Sequence, residues 1–152
     1  MRFEARRFVQ ESYDSNDEWG KQIVIEFLAS RGFEIIPKEE DYGVDIEARH
    51  IARGHILKFE VEVKHRYPWT CIDDFKFDSV SFLGRKKKWA VGQGFWYFIV
   101  CAETKAIIAC HSEEIYQDKH KEFAYINTAH RKGNDELYRV PKQECSWLKI
   151  IW

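Results

Sequence analysis

The chain has 152 residues, of which 45% are hydrophobic and 16% aromatic, and a net charge of −1. That is enough apolar material to bury the core of one domain spanning residues 1–152, and too much for a disordered chain. The near-neutral charge argues against a general nucleic-acid coat protein, but not against an enzyme that gathers acids at one point and bases around it.

No apolar run approaches the roughly 20 residues that cross a bilayer, so no membrane partner is expected. Behind the basic residues Arg2, Arg6 and Arg7 there is no apolar stretch of the kind a secretion signal carries, and a cytoplasmic location follows as the default. Cys71, Cys101, Cys110 and Cys145 are scattered without C-x-x-C spacing. That argues against a zinc site, and Cys101 and Cys110 read as small core residues in a reducing compartment.

In chain order, Ser15-Asn16-Asp17-Glu18 has the side-chain cap and early acids of a helix start. Trp19, Ile23, Val24, Phe27 and Leu28 then recur at helical spacing until Arg31-Gly32. Phe33 to Ile36 is a short strand ended by Pro37, and Lys38 to Gly43 is polar and turn-like. Val44 to Arg49 and Ile56 to His65 alternate with period two and predict a hairpin turning near Arg53-Gly54.

Arg66 to Gln93 has no sustained period, although Asp78 to Leu83 fits a short strand and Arg85 to Val91 a short helix. Phe95 to Cys101 is a fully apolar strand with Lys105 to His111 as partner, and Glu113 to Tyr116 opens another short helix. Residues 121–140 are mixed, with a turn at Lys132-Gly133-Asn134-Asp135, and the apolar segment Ser146 to Trp152 docks on the body. The sum is an α+β domain around one central sheet.

On the second hairpin strand, Leu57, Phe59, Val61 and Val63 point one way, and Lys58, Glu60, Glu62 and Lys64 the other. Pairing of the two strands lets Asp45 and Glu62 emerge on one face. Two carboxylates about 4 Å apart repel by several kcal/mol at intermediate dielectric, and a divalent cation relieves this. Magnesium takes one or two carboxylates and keeps waters, leaving positions for a phosphate oxygen and an attacking water. Lys64, on the same face, can hold the phosphate or orient the water. Those are the parts of metal-assisted phosphodiester hydrolysis. Glu26 lies about 20° from Trp19 on a helical wheel, at the margin of the apolar stripe, where it would face the sheet as a further ligand. The same Glu/Lys alternation also describes a solvent-facing strand, and Glu60 reads either as a ligand or as a bystander.

The segments Gly43-Val44-Asp45-Ile46-Glu47-Ala48 and Phe59-Glu60-Val61-Glu62-Val63-Lys64 resemble the PD-(D/E)xK nuclease superfamily, which includes restriction endonucleases, Holliday junction resolvases and phage nucleases. Val44 stands where the motif has its proline. The resemblance covers roughly residues 15–66. It implies a restriction endonuclease-like core, a mixed sheet flanked by helices. Asp45, Glu62, the Val63 carbonyl and Glu26 would hold Mg²⁺, with Mn²⁺ able to substitute, and Lys64 would be the catalytic lysine.

Arg85-Lys86-Lys87-Lys88 are the expected phosphate contacts, with a solvated helix face as the equal alternative; His65 and Arg66 leave the catalytic strand to line the nucleic-acid groove, and His130-Arg131-Lys132 is a further basic cluster. Tyr67 and Trp69 read either as base-stacking platforms or, like most aromatics of this chain, as core. The expected partner is DNA, which residue types do not separate from RNA, and cleavage is structure-selective or weakly sequence-dependent. If the chain is phage-encoded, the location is the host cytoplasm. Cutting two strands calls for two active sites, hence a homodimer as one expected state. The alternative is a non-catalytic nucleic-acid-binding or assembly protein on the same fold.

Overall fold

The computed structural model describes residues 17–37, 44–127 and 132–149. The helix cap at Ser15-Asn16, the Arg2/Arg6/Arg7 and His130-Arg131 clusters, the polar turn 38–43 and the last three residues lie outside them.

Helix α1 spans the described residues 17–30, and its buried side chains Ile23, Val24, Phe27 and Leu28 form the expected stripe. It ends at Gly32, where φ is +84° and the amide donates to the Ala29 carbonyl. Only glycine adopts that conformation without cost. Strands β1 (Phe33–Ile35), β2 (Ile46–His50) and β3 (Ile56–Lys64) follow, then β4 (Ser79–Leu83), a 3-10 segment Gly84–Trp89, β5 (Trp96–Cys101), β6 (Ile107–His111) and α2 (Ser112–Ile115). A 3-10 turn Asp118–His120 leads to β7 (Lys121–Asn127) and β8 (Lys132–Pro141), and a last turn Lys142–Glu144 to β9 (Ser146–Leu148).

Two sheets result. The central one has order β1-β2-β3-β5-β6-β9, and the second has order β4-β8-β7. Within the first, β3 and β5 run parallel while the other pairs are antiparallel. A parallel pair needs a crossover, and here the crossover carries β4, which leaves the central sheet and founds the second. This is the expected α+β architecture with a mixed central sheet. Its two faces are covered differently: α1 packs on one, and the three-stranded sheet covers the other.

Each face has its own core. On the helix side Ile23, Val24, Phe27 and Leu28 meet Ile46, Phe59, Val61, Phe98 and Val100. On the other side Tyr97, Ile99 and Cys101 meet Val80 and Phe82 of β4 and Tyr138 and Val140 of β8. Burying each such Val, Ile or Phe contributes roughly 1.5–3 kcal/mol. The uninterrupted apolar run of β5 follows from its place at the centre of the sheet, where both faces are covered.

The hairpin turn falls as expected, with Gly54 at φ +78° and its amide on the His50 carbonyl. The turn expected at Lys132 to Asp135 is corrected: these residues lie in β8, in register with β7. Leu148 pairs with Ile107, so Ser146–Leu148 docks as an edge strand, the described part of the expected C-terminal segment. Among the described residues, no helix is long and apolar enough to cross a membrane.

Candidate functional site

Regular alternation breaks at the entrance to β2. Val44 and Ile46 are two residues apart yet belong to the cores on opposite faces of the sheet. The chain turns over between them, at Asp45, whose Oδ2 accepts the Val61 amide at 2.9 Å. One step beyond the Ile46–Phe59 pairing, Asp45 therefore lies across from Glu60.

On β3, Phe59 and Val61 face α1, so Glu60, Glu62 and Lys64 face the second sheet. The helix approaches closely because Gly20 lies directly over the Val63 side chain, leaving no room for a Cβ. From the next strand, Tyr97 donates its hydroxyl to Glu62 Oε1 at 2.6 Å. The Lys64 ammonium is 3.3 Å from Glu62 Oε2.

Glu60 is only 3% exposed. Its Oε2 accepts from the Lys86 ammonium at 3.1 Å, and the same ammonium is 3.6 Å from Asp45 Oδ2. Lys86 arrives on the 3-10 segment, which packs tightly on β8 because Gly84 has no side chain: a Cβ there would lie 2.6 Å from the Glu136 carbonyl oxygen. Lys21 of α1 approaches Asp45 Oδ1 at 3.6 Å.

The electrostatics divide the acids. Burial, then the hydrogen bond and charge of Asp45, push the Glu60 carboxyl up to about 8 against the pull of Lys86. Burial also works against the Asp45 carboxylate, but the hydrogen bond with Glu60, Lys86, the Val61 amide and Lys21 together hold it below the ordinary value. The pair thus shares one proton near neutral pH. Burial and the neighbouring Glu62 carboxylate raise the Tyr97 phenol well above its usual range, keeping it a donor.

Of the residues expected from sequence, Glu62 and Lys64 pair on one face of β3, and Asp45 meets Glu60 through Lys86, so the contacts form two neighbouring groups. Glu26 is half-buried on α1. No hydrogen bond or ion pair joins it to these acids among the described residues, and the α1 side chain that reaches the site is Lys21. Val63 pairs in register with Val100 between Glu62 and Lys64. His65 and Arg66 are exposed just past β3.

The basic run does not act as a unit. Lys86 turns inward to the acids, Lys87 reaches the Tyr138 hydroxyl at 3.3 Å, Lys88 lies over Trp89, and Arg85 is exposed. Sequence reasoning missed Tyr97, Lys21 and the inward course of Lys86. Only Tyr97 had a signal: a phenol inside a wholly apolar strand needs a buried acceptor.

The oxygen donors of Asp45, Glu60 and Glu62 suit magnesium by type, but among the described residues they do not close into one three-ligand group. A separate group joins α2 to the two 3-10 turns: His120 Nε2 lies 3.0 Å from Glu114 Oε1 and 3.7 Å from Glu144 Oε2, and the three ligand atoms fall within 4.8 Å of one another, close enough to hold a metal ion. There the hydrogen bond between the two glutamates lowers Glu114 and raises Glu144.

Compared with known proteins, the chain matches no family model, no curated protein and no solved structure.

Proposed function

We propose that the chain is a magnesium-dependent nuclease hydrolysing phosphodiester bonds of DNA, as an endonuclease with structural or weak sequence preference. The observation that carries this reading is the placement of Glu60, Glu62 and Lys64 on one face of β3, with Asp45 across from Glu60 at the entrance to β2.

Asp45 and Glu62, with Glu60 once deprotonated, would hold the cation. When bound, magnesium supplies Lewis-acid polarisation of a phosphate oxygen and a more acidic water. Tyr97 fixes the Glu62 carboxylate through its hydroxyl. Lys64, half-exposed beside Glu62, binds a phosphate oxygen or orients the attacking water. Lys86 offsets the charge of Asp45 and Glu60 while no substrate or metal is bound.

The test is a cleavage panel of single-stranded, duplex and branched DNA with Mg²⁺ or Mn²⁺. Asp45→Asn, Glu62→Gln and Lys64→Ala are each expected to slow cutting by about 10²–10⁴-fold, in the range of a lost proton-handling or charge-stabilising group. Cutting that survives saturating chelator, or variants with undiminished rates, would overturn the reading.

A second reading, binding without cleavage, draws on Lys86: its ammonium already compensates Asp45 and Glu60 without a metal. Salt-dependent DNA binding with no cutting in either metal would favour it.

A further inference from the structure

Where β3 ends, the space between the two sheets opens into a cavity of about 490 Å³. Pockets for small ligands run roughly 300–1,000 Å³. Lys64 lines this cavity, so it is continuous with the acidic site through the Lys64–Glu62 contact.

Its walls combine two chemistries. One is aromatic: Phe75 packs edge-on against Trp69 and Phe77 at 5.8 and 5.9 Å, and Tyr67 stands perpendicular to Phe77 at 5.1 Å. The other is cationic, supplied by Lys64, Arg66 and Arg139, of which Arg139 also pairs with Glu122 at 3.0 Å.

Two features mark the aromatic wall as more than core. Tyr67 and Phe77 are 51% and 44% exposed, at the mouth of the cavity, and the Lys76 ammonium lies over their rings at 4.5 and 5.9 Å. Tyr67 is held at φ +55°, a conformation a bulky residue adopts only when its surroundings impose it. A ligand with a flat face would stack on the exposed rings in place of the ammonium, and negative charge attached to it would meet Lys76 and the other cations.

We propose that this cavity receives one unstacked nucleobase of the nucleic-acid substrate, with the adjoining phosphates on Lys64 and Arg66. The identity of the polymer rests on the hydrolase reading above; the pocket chemistry stands on the cavity itself. A base held in a duplex stack cannot reach it. The substrate class is therefore nucleic acid with unpaired nucleotides, either a single strand or a distorted position within a duplex.

The experiment titrates the wild-type chain, in chelator, with a labelled single strand, its perfect duplex, the same duplex with one mismatch, and the single strand with abasic sites in place of bases. The single strand is expected to bind about tenfold or more tighter than the perfect duplex, and Tyr67→Ala or Phe77→Ala to weaken it by about tenfold, as for loss of one stacking platform. Both variants alter half-exposed rings, and their unfolding midpoints check the fold. The abasic strand should bind weakly and be insensitive to both substitutions. A mismatched duplex that binds like the single strand identifies the distorted duplex as a source of the base; one that binds like the perfect duplex restricts the pocket to single strands.

Equal affinity for strand, duplex and abasic strand, or no effect of either variant, would overturn the pocket. The two readings fail separately. Base-dependent binding without cleavage removes the hydrolase and keeps the pocket. Asp45-dependent cleavage with base-independent binding removes the pocket alone.

Discussion

The Lys86 ammonium donates to Glu60 Oε2 at 3.1 Å, a contact between residues 26 positions apart with Glu60 almost wholly shielded from solvent. It closes the acidic site from the side of the second sheet. The 3-10 segment bearing Lys86 is placed by Gly84 against β8, so packing of the second sheet reports directly on the charge balance of the first.

Removing that ammonium leaves Asp45 and Glu60 facing each other without compensation. Lys86→Met is expected to destabilise the metal-free protein by about 3–5 kcal/mol, the usual cost of breaking a buried pair from one side. The loss should be smaller at pH 6 than at pH 9, because Glu60 carries its own proton at the lower pH. Urea unfolding at the two pH values, with and without Mg²⁺, reads this out, and magnesium should recover part of the loss.

Glu60 makes stability depend on pH in a stated direction. Its carboxyl is pushed from 4.5 up to about 8 by burial and by Asp45. The fold therefore takes up a proton there, and the associated stability is fully present below about 4.5 and lost as pH rises through about 8. Glu60→Gln cannot titrate. In chelator, the difference in unfolding free energy between wild type and this variant should shift against the wild type across that window. A difference constant from pH 4.5 to 8 contradicts the assignment. Asp45 has the opposite sign, its contribution being lost only as pH falls through a value below 3.8.

Tyr97→Phe tests positioning of Glu62. Losing the 2.6 Å hydroxyl contact should cost about 1–3 kcal/mol of stability, since a part-buried carboxylate loses its donor. If Glu62 serves a metal, the variant should also need more Mg²⁺ for half-maximal cleavage, whereas a purely structural role would leave the metal dependence unchanged.

Gly20→Ala places a methyl group against the Val63 side chain. Alanine favours the helix by roughly 0.5–1 kcal/mol, but overpacking costs typically 1–3 kcal/mol, so a net loss is expected. Because Val63 lies between Glu62 and Lys64, cleavage should fall as well. Pairing the change with Val63→Ala relieves the clash and should restore both properties, as measured by unfolding midpoint and rate.

Local pattern made much of this protein readable before its structure. The period of 3.6 in Trp19 to Leu28 marked α1, and the period of two in Ile56 to Lys64 set Glu60, Glu62 and Lys64 on one side of β3. Both periods are properties of backbone geometry and survive any tertiary context. The apolar run of β5 declared a strand buried on both faces, though not which strands would flank it.

Tertiary structure decided the rest, beginning with Asp45, the residue at the centre of the site. The chain turns over between Val44 and Ile46, so alternation stops being a guide there, and Asp45 meets Glu60 and the Val61 amide. Lys86 was legible only as one of four adjacent bases; its inward course depends on a second sheet in which β4 joins the much later pair β7 and β8. Tyr97 reaches Glu62 through a parallel pairing with β3 that no local signal encodes. Sequence by itself determined which carboxylates and lysine share a strand face, because that depends on neighbours one and two residues away. Which charges neutralise one another depends on contacts across sheets, and only the folded chain brings those side chains within a few ångströms.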